Sequence, residues 1–139
     1  MALVVEAEAT RFRTELVVRW PVLVSTRRTV RAYVHLWGLG PLADDASLCT
    51  HELLANVPRH TGSRKCTLAL VQYPGRLRVT VSDTSSELPV ARNPDWVAET
   101  GRGLFLLNQL TDTWGVDVNP DGGKDVWFEM RKTPHREAA

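Results

Sequence analysis

The sequence has almost no excess charge: 17 Lys and Arg stand against 16 Asp and Glu, a formal net charge of +1. A domain that grips nucleic acid by its phosphates normally carries a strong basic excess, so this balance excludes a general nucleic-acid binder. Cysteine is nearly absent, and the two present, Cys49 and Cys66, show neither C-x-x-C nor metal-ligand spacing. Both lie in apolar segments and are expected as buried free thiols. No apolar run approaches the roughly 20 residues that span a bilayer, so no membrane association is expected. Met1 to Ala9 alternates acidic and apolar residues without the basic flank of a secretion signal, and a cytoplasmic location is the expectation.

Several catalytic signatures are missing too. The phosphate loop G-x-x-x-x-G-K-[ST] and the nucleophile elbow G-x-S-x-G do not occur. His51-Glu52 begins an H-E-x-x-H zinc pattern, but Ala55 and Asn56 stand where its second histidine would be needed. His35, His60 and His135 are scattered, which fits structural or solvated side chains. The arginines Arg27, Arg28 and Arg31 read as the solvated side of a helix.

What is present is an ordinary globular composition, 43% apolar and 24% charged over 139 residues, enough for one domain with a real core. Residues 1–13 read as a tail or an edge strand, 14–131 as the domain, and 132–139 as a C-terminal tail. Thr14 to Trp20 reads as a strand stopping at Pro21. From Val22, the positions Val22, Thr26, Val30, Tyr33, Val34 and Trp37 recur at helical spacing until Gly38, Gly40 and Pro41. A second helix begins near Leu42, with Asp44 and Asp45 in its first turn and Ala46, Cys49, Leu53 and Val57 on its apolar side. Pro58 is expected to kink or end it.

The period then falls to two. Cys66 to Tyr73 and Arg76 to Asp83 are strands joined by Pro74-Gly75, a pair suited to a type II turn. Residues 84–102 form a long irregular stretch. A third helix runs from Gly103 to about Thr111 with Leu104, Leu107 and Leu110 on one face. A last hairpin joins Trp114–Val118 to Lys124–Met130. Strands paired as hairpins, with helices over their shared apolar face, predict an α+β, two-layer α/β sandwich with a mixed, mostly antiparallel sheet under about three helices.

Three features carry candidate chemistry. Glu52 and Asn56 are four apart on the second helix and project from one face. An amide oxygen is a hard ligand suited to Mg²⁺, and a carboxylate one turn away can orient or deprotonate a group attacking phosphorus. Asp83 ends an apolar strand, where it can serve a turn or accept from the exocyclic amine of a purine. The Thr84 and Ser85 hydroxyls stand next to it. Gly101-Arg102-Gly103 precedes a helix whose N-terminal N–H groups suit a phosphate.

The order of these signals resembles the ATP-binding domain of sensor histidine kinases and type II topoisomerases, the Bergerat ATP-binding fold. It is most similar to the anti-sigma-factor serine kinases and related free-standing ATP-binding regulators of actinobacteria. The matching stretches are E-L-L-A-N-V-P-R-H (52–60), V-S-D-T-S-S-E-L-P (81–89), G-R-G-L-F-L-L (101–107), and W-G with G-K-D-V-W-F (114–115, 123–128). The resemblance implies ATP and Mg²⁺ as cofactors, Glu52 as general base and Asn56 as the Mg²⁺ ligand. It also implies Asp83, with Ser85 beside it, as the adenine acceptor, and a lid over 84–102. Gly101 and Gly103, with Arg102 and Leu104, would cradle the phosphates, and Arg59 and His60 would lie near them. The implied partners are a sigma factor, an anti-anti-sigma (STAS-type) protein whose serine is phosphorylated, and a second copy of the chain.

The pattern departs from the kinases at three places. Ser85 and Glu87 fill the glycine positions of the kinases' D-x-G-x-G motif, Glu99 stands where they tend to carry arginine, and Pro58 follows Asn56 closely. These departures keep open an ATP-binding regulator that acts through protein contacts without phosphoryl transfer.

Overall fold

Five strands form one sheet in a computed structural model that describes residues 10–61, 63–84 and 105–132, with only the backbone given for 59–61. The elements are β1 (Arg11–Val17), α1 (Trp20–Leu36), a 3-10 turn at Gly40–Leu42, α2 (Ala43–Thr61), β2 (Lys65–Tyr73), β3 (Arg76–Asp83), α3 (105–110), β4 (Thr113–Val118) and β5 (Lys124–Arg131). The sheet order is β1-β2-β3-β5-β4, and every pairing among the described residues is antiparallel.

Alternation sets the two faces of the sheet. Cys66, Leu68 and Leu70 of β2, Leu77, Val79 and Val81 of β3, and Val126, Phe128 and Met130 of β5 are all buried on one side. Ala69, Thr80 and Trp127, direct neighbours across the strands, lie on the other. The helices supply the second layer. Leu23, Thr26, Val30 and Val34 of α1 are buried, as are Ala46, Cys49, Leu53, Leu54 and Val57 of α2. Stacking of Phe12 on Tyr33, with centroids 4.5 Å apart, ties edge strand β1 to α1. No helix among the described residues is long and apolar enough to cross a membrane.

Three local expectations change. The first strand covers Arg11–Val17 instead of 14–20, and Trp20 opens α1. Pro21 therefore begins a helix where the sequence suggested that it stops a strand. Its missing N–H falls among the N-terminal donors that have no intrahelical acceptor, so proline is tolerated there. Val18 closes the strand end instead, donating its N–H to the Arg64 carbonyl at 2.8 Å and accepting from the Arg64 guanidinium at 3.1 Å. Of the two outcomes expected at Pro58, a kink or an end, the end does not occur: α2 runs on to Thr61. Proline there removes a single donor, the one that would reach the Leu54 carbonyl, and the chain beyond it stays helical. The Pro74-Gly75 turn forms as expected, with Gly75 at φ +66°.

Candidate functional site

The topology places the candidate residues of the described chain toward one end of the sandwich. The C-terminus of α2, at Thr61, is close in sequence to the start of β2 at Lys65, and that strand's first half pairs with the end of β3 through Thr67 and Ser82. The half of α2 that carries Glu52 and Asn56 therefore runs toward the end of the sheet where Asp83 lies.

Glu52 and Asn56 lie one turn apart and are each half-buried, flanked on their inner side by the buried Leu53, Leu54 and Val57. Leu48, one turn before Glu52, is 37% exposed, and the indole of Trp20 meets the His51 ring edge-on at 6.3 Å. The face holding the carboxylate and the amide is thus bordered by apolar surface. Glu52 also acts inward: the Cys49 thiol is pushed up to about 12, first by burial and then by the Asp45 and Glu52 carboxylates. That thiol is protonated at neutral pH and supplies no nucleophile.

Asp83 continues the inward row Leu77–Val79–Val81 past the point where the core ends. Its direct partner across β3 and β5 is Lys124, first residue of the inward row Lys124–Val126–Phe128–Met130. The Lys124 Nζ donates to both carboxylate oxygens of Asp83 at 3.0 Å. The two side chains are 1% and 5% exposed, so the pair is nearly dry. Burial, and after it the Asp83 charge, pushes the nearby Cys66 thiol up to about 11. Both cysteines are free and buried, as the sequence predicts.

Lys124 was not among the predicted site residues, although its signal is legible. A lysine in register with Val126, Phe128 and Met130 must either break the alternation or find a buried carboxylate. Which carboxylate depends on strand register, and the sequence does not display register.

The remaining predicted residues divide in two. Arg59 and His60 are on the last turn of α2, and only their backbone is described. Ser85, Gly101, Arg102, Gly103 and Leu104 lie outside the described residues, as do most of the predicted lid and the first part of the third helix. Of that helix, Leu107 is buried and Thr111 donates its N–H to the Leu107 carbonyl at 3.1 Å. A separate depression of about 340 Å³ is lined by Tyr73, Pro74, Gly75, Arg76, Arg131 and Lys132. It lies at the opposite end of β3 from Asp83 and touches no predicted site residue.

The donor set suits a purine nucleotide in part. A fixed carboxylate can accept from an amine, and an amide oxygen with a nearby carboxylate can serve a hydrated Mg²⁺ already held by phosphates. Among the described residues no group of three or more His, Cys, Asp or Glu side chains could hold a metal by itself. Any Mg²⁺ here would thus depend on phosphate oxygens and water, as is common for that ion.

Comparison with known families agrees with this reading. The family model for the histidine kinase-like ATPase domain matches residues 22–130. No functionally curated protein matches the chain. The match spans most of the sequence, from the first turn of α1 to the end of β5, and the chain belongs to the histidine kinase-like ATPase domain family.

Proposed function

We propose that this member of the histidine kinase-like ATPase family binds ATP between α2 and the Asp83 end of the sheet, and acts as an anti-sigma-type regulator with serine kinase activity. The observation that carries the binding site is Asp83, a carboxylate fixed and nearly dehydrated at the end of an inward-facing row. Family membership supports the choice of ATP.

Each residue has a defined task in this reading. Asp83 accepts from the exocyclic amine of adenine, with Ser85 beside it. The Asn56 amide oxygen would hold Mg²⁺ against the phosphates. Glu52, one turn away, accepts the proton of an attacking serine hydroxyl and orients its oxygen toward phosphorus. The glycines Gly101 and Gly103 allow close approach to phosphates. ATP supplies the γ-phosphoryl group and leaves as ADP when the bond from the bridging oxygen to the γ-phosphorus breaks, and the chain supplies position, proton acceptance and charge.

The proposed partners are a sigma factor and an STAS-type anti-anti-sigma protein that carries the acceptor serine. A second copy of the chain is a further proposed partner. Incubation with labelled ATP, Mg²⁺ and a candidate acceptor protein tests the kinase reading. Wild type is expected to label the acceptor and Glu52→Ala to lose at least about 100-fold in rate, a typical contribution of one acid–base group. Equal labelling by both, or none by either, overturns it.

A second reading, ATP binding without phosphoryl transfer, is favoured by Glu87 and Glu99, two negative charges in the segment assigned to cover the polyphosphate. It predicts nucleotide affinity unchanged by Glu52→Ala and no labelled acceptor.

A further inference from the structure

A lysine in the inward row of a strand is almost never buried without a purpose-built partner. Lys124 has one, with Nζ 3.0 Å from each oxygen of Asp83 and the side chains 1% and 5% exposed. The backbone enforces the pairing, because the two residues are direct cross-strand partners at the ends of β3 and β5. Gly123 adds a second constraint. Its φ is +87°, and a Cβ there would run into the carbonyl oxygen of Asp83 and meet the Cα of Thr84 at 3.4 Å. The chain therefore closes on Asp83 twice, with the Gly123 backbone against its main chain and the Lys124 ammonium against its carboxylate.

We propose that Lys124 is a positioning residue for purine recognition: it fixes the Asp83 carboxylate as an oriented acceptor, and so sets the preference for a 6-amino purine without touching the base. This rests on the reading of Asp83 given under the proposed function.

The physical argument is desolvation. A solitary carboxylate would have to shed its hydration for a contact with a neutral amine, which is unfavourable. Asp83 has already exchanged its water for Lys124, and the pair carries no net charge for an incoming base to bury. Lys124 holds one hydrogen bond on each oxygen, and a carboxylate has about four lone-pair sites, so pairing is compatible with acceptance from an amine. With both oxygens fixed, little side-chain freedom is lost on binding. A 6-oxo purine would oppose its carbonyl oxygen to the carboxylate, and an unsubstituted purine would offer it no donor.

The test compares ATP, inosine triphosphate and purine riboside triphosphate by calorimetry on the full chain, with Lys124→Met and Lys124→Arg alongside wild type. Wild type is expected to prefer ATP to purine riboside triphosphate by about tenfold or more, the scale of one hydrogen bond to a charged acceptor. Lys124→Arg should preserve the direction of that preference. Lys124→Met should shrink the preference for ATP over purine riboside triphosphate to near parity. A nitrogen-15 signal from the Lys124 ammonium gives a readout that needs no variant: it should shift with ATP and not with purine riboside triphosphate. Undiminished ATP preference in folded Lys124→Met, or an ammonium signal that responds equally to both nucleotides, overturns the positioning role and leaves ATP binding intact. Failure of wild type to bind any of the three overturns both.

Discussion

Strands β3 and β5 make two cation–carboxylate pairs from direct cross-strand partners, one on each face of the same sheet. On the outer face the Arg78 guanidinium donates to Glu129 at 2.8 Å, with side chains 28% and 16% exposed. It also lies 4.1 Å from the centre of the Trp127 ring, and Arg76 approaches the same carboxylate at 3.6 Å. On the inner face Lys124 meets Asp83 at 3.0 Å with almost no exposure. Distance alone would rank the outer pair the stronger. Solvent reverses the consequences of losing a partner: outside, water and a second arginine compensate, whereas inside a charge is left buried. A buried pair adds little stability relative to an apolar one, so its presence is better explained by what it holds in place. Here that is the carboxylate assigned to the purine.

The sharpest way to break this comparison is to remove one cation from each face. Lys124→Met should lower the unfolding free energy by about 3–5 kcal/mol, measured by denaturant titration. A loss no larger than that of Arg78→Met would erase the distinction between the faces. The glycines give a second contrast. Gly123→Ala meets main chain at Asp83 and adopts a left-handed φ, and should cost about 2 kcal/mol. Gly115→Ala meets only the Trp127 ring, 2.7 Å from the added Cβ, and a ring can tilt, so its loss should be smaller. Equal losses would mean that the backbone at Asp83 has room to move.

The inner face also has a pH signature. Burial, helped by neighbouring carboxylates, holds Cys49 and Cys66 protonated up to about 12 and about 11, against a usual thiol value of 9.0. Raised folded values mean stability independent of these thiols below about pH 9, then falling as pH rises toward 11–12, because the unfolded chain releases protons first. Cys49→Ala/Cys66→Ala should flatten that alkaline decline, and an unchanged decline would assign it to other groups. The smallest effect is expected outside: Arg78→Met should change stability by less than about 1 kcal/mol, and less still at high salt.

Much of the fold was legible because it follows short-range periodicity. Leu77, Val79 and Val81 alternate and became a buried row, and Pro74-Gly75 turns. Of the positions spaced along the first helix, Thr26, Val30 and Val34 are buried, Tyr33 and Trp37 are partly so, and Leu23 takes the core place expected of Val22. The misplacements occurred where one residue fits two contexts. Pro21 can stop a strand or start a helix, and the choice was made at a distance, by Val18 bonding to Arg64. Pro58 can kink a helix or end it, and α2 runs on past it to Thr61. In the site, Glu52 and Asn56 could be placed on one face from spacing alone. Lys124 could not be joined to Asp83 in the same way, since 41 residues separate them and only the β3–β5 register brings them together.

The central claim is a nucleotide site built on Asn56 and Asp83. It is tested most directly by calorimetric titration of the wild-type chain with ATP, in the presence and absence of Mg²⁺, alongside Asn56→Ala. The account predicts saturable one-site binding that Mg²⁺ strengthens in wild type, with that Mg²⁺ dependence lost in Asn56→Ala. A flat titration of wild type under both conditions would contradict it.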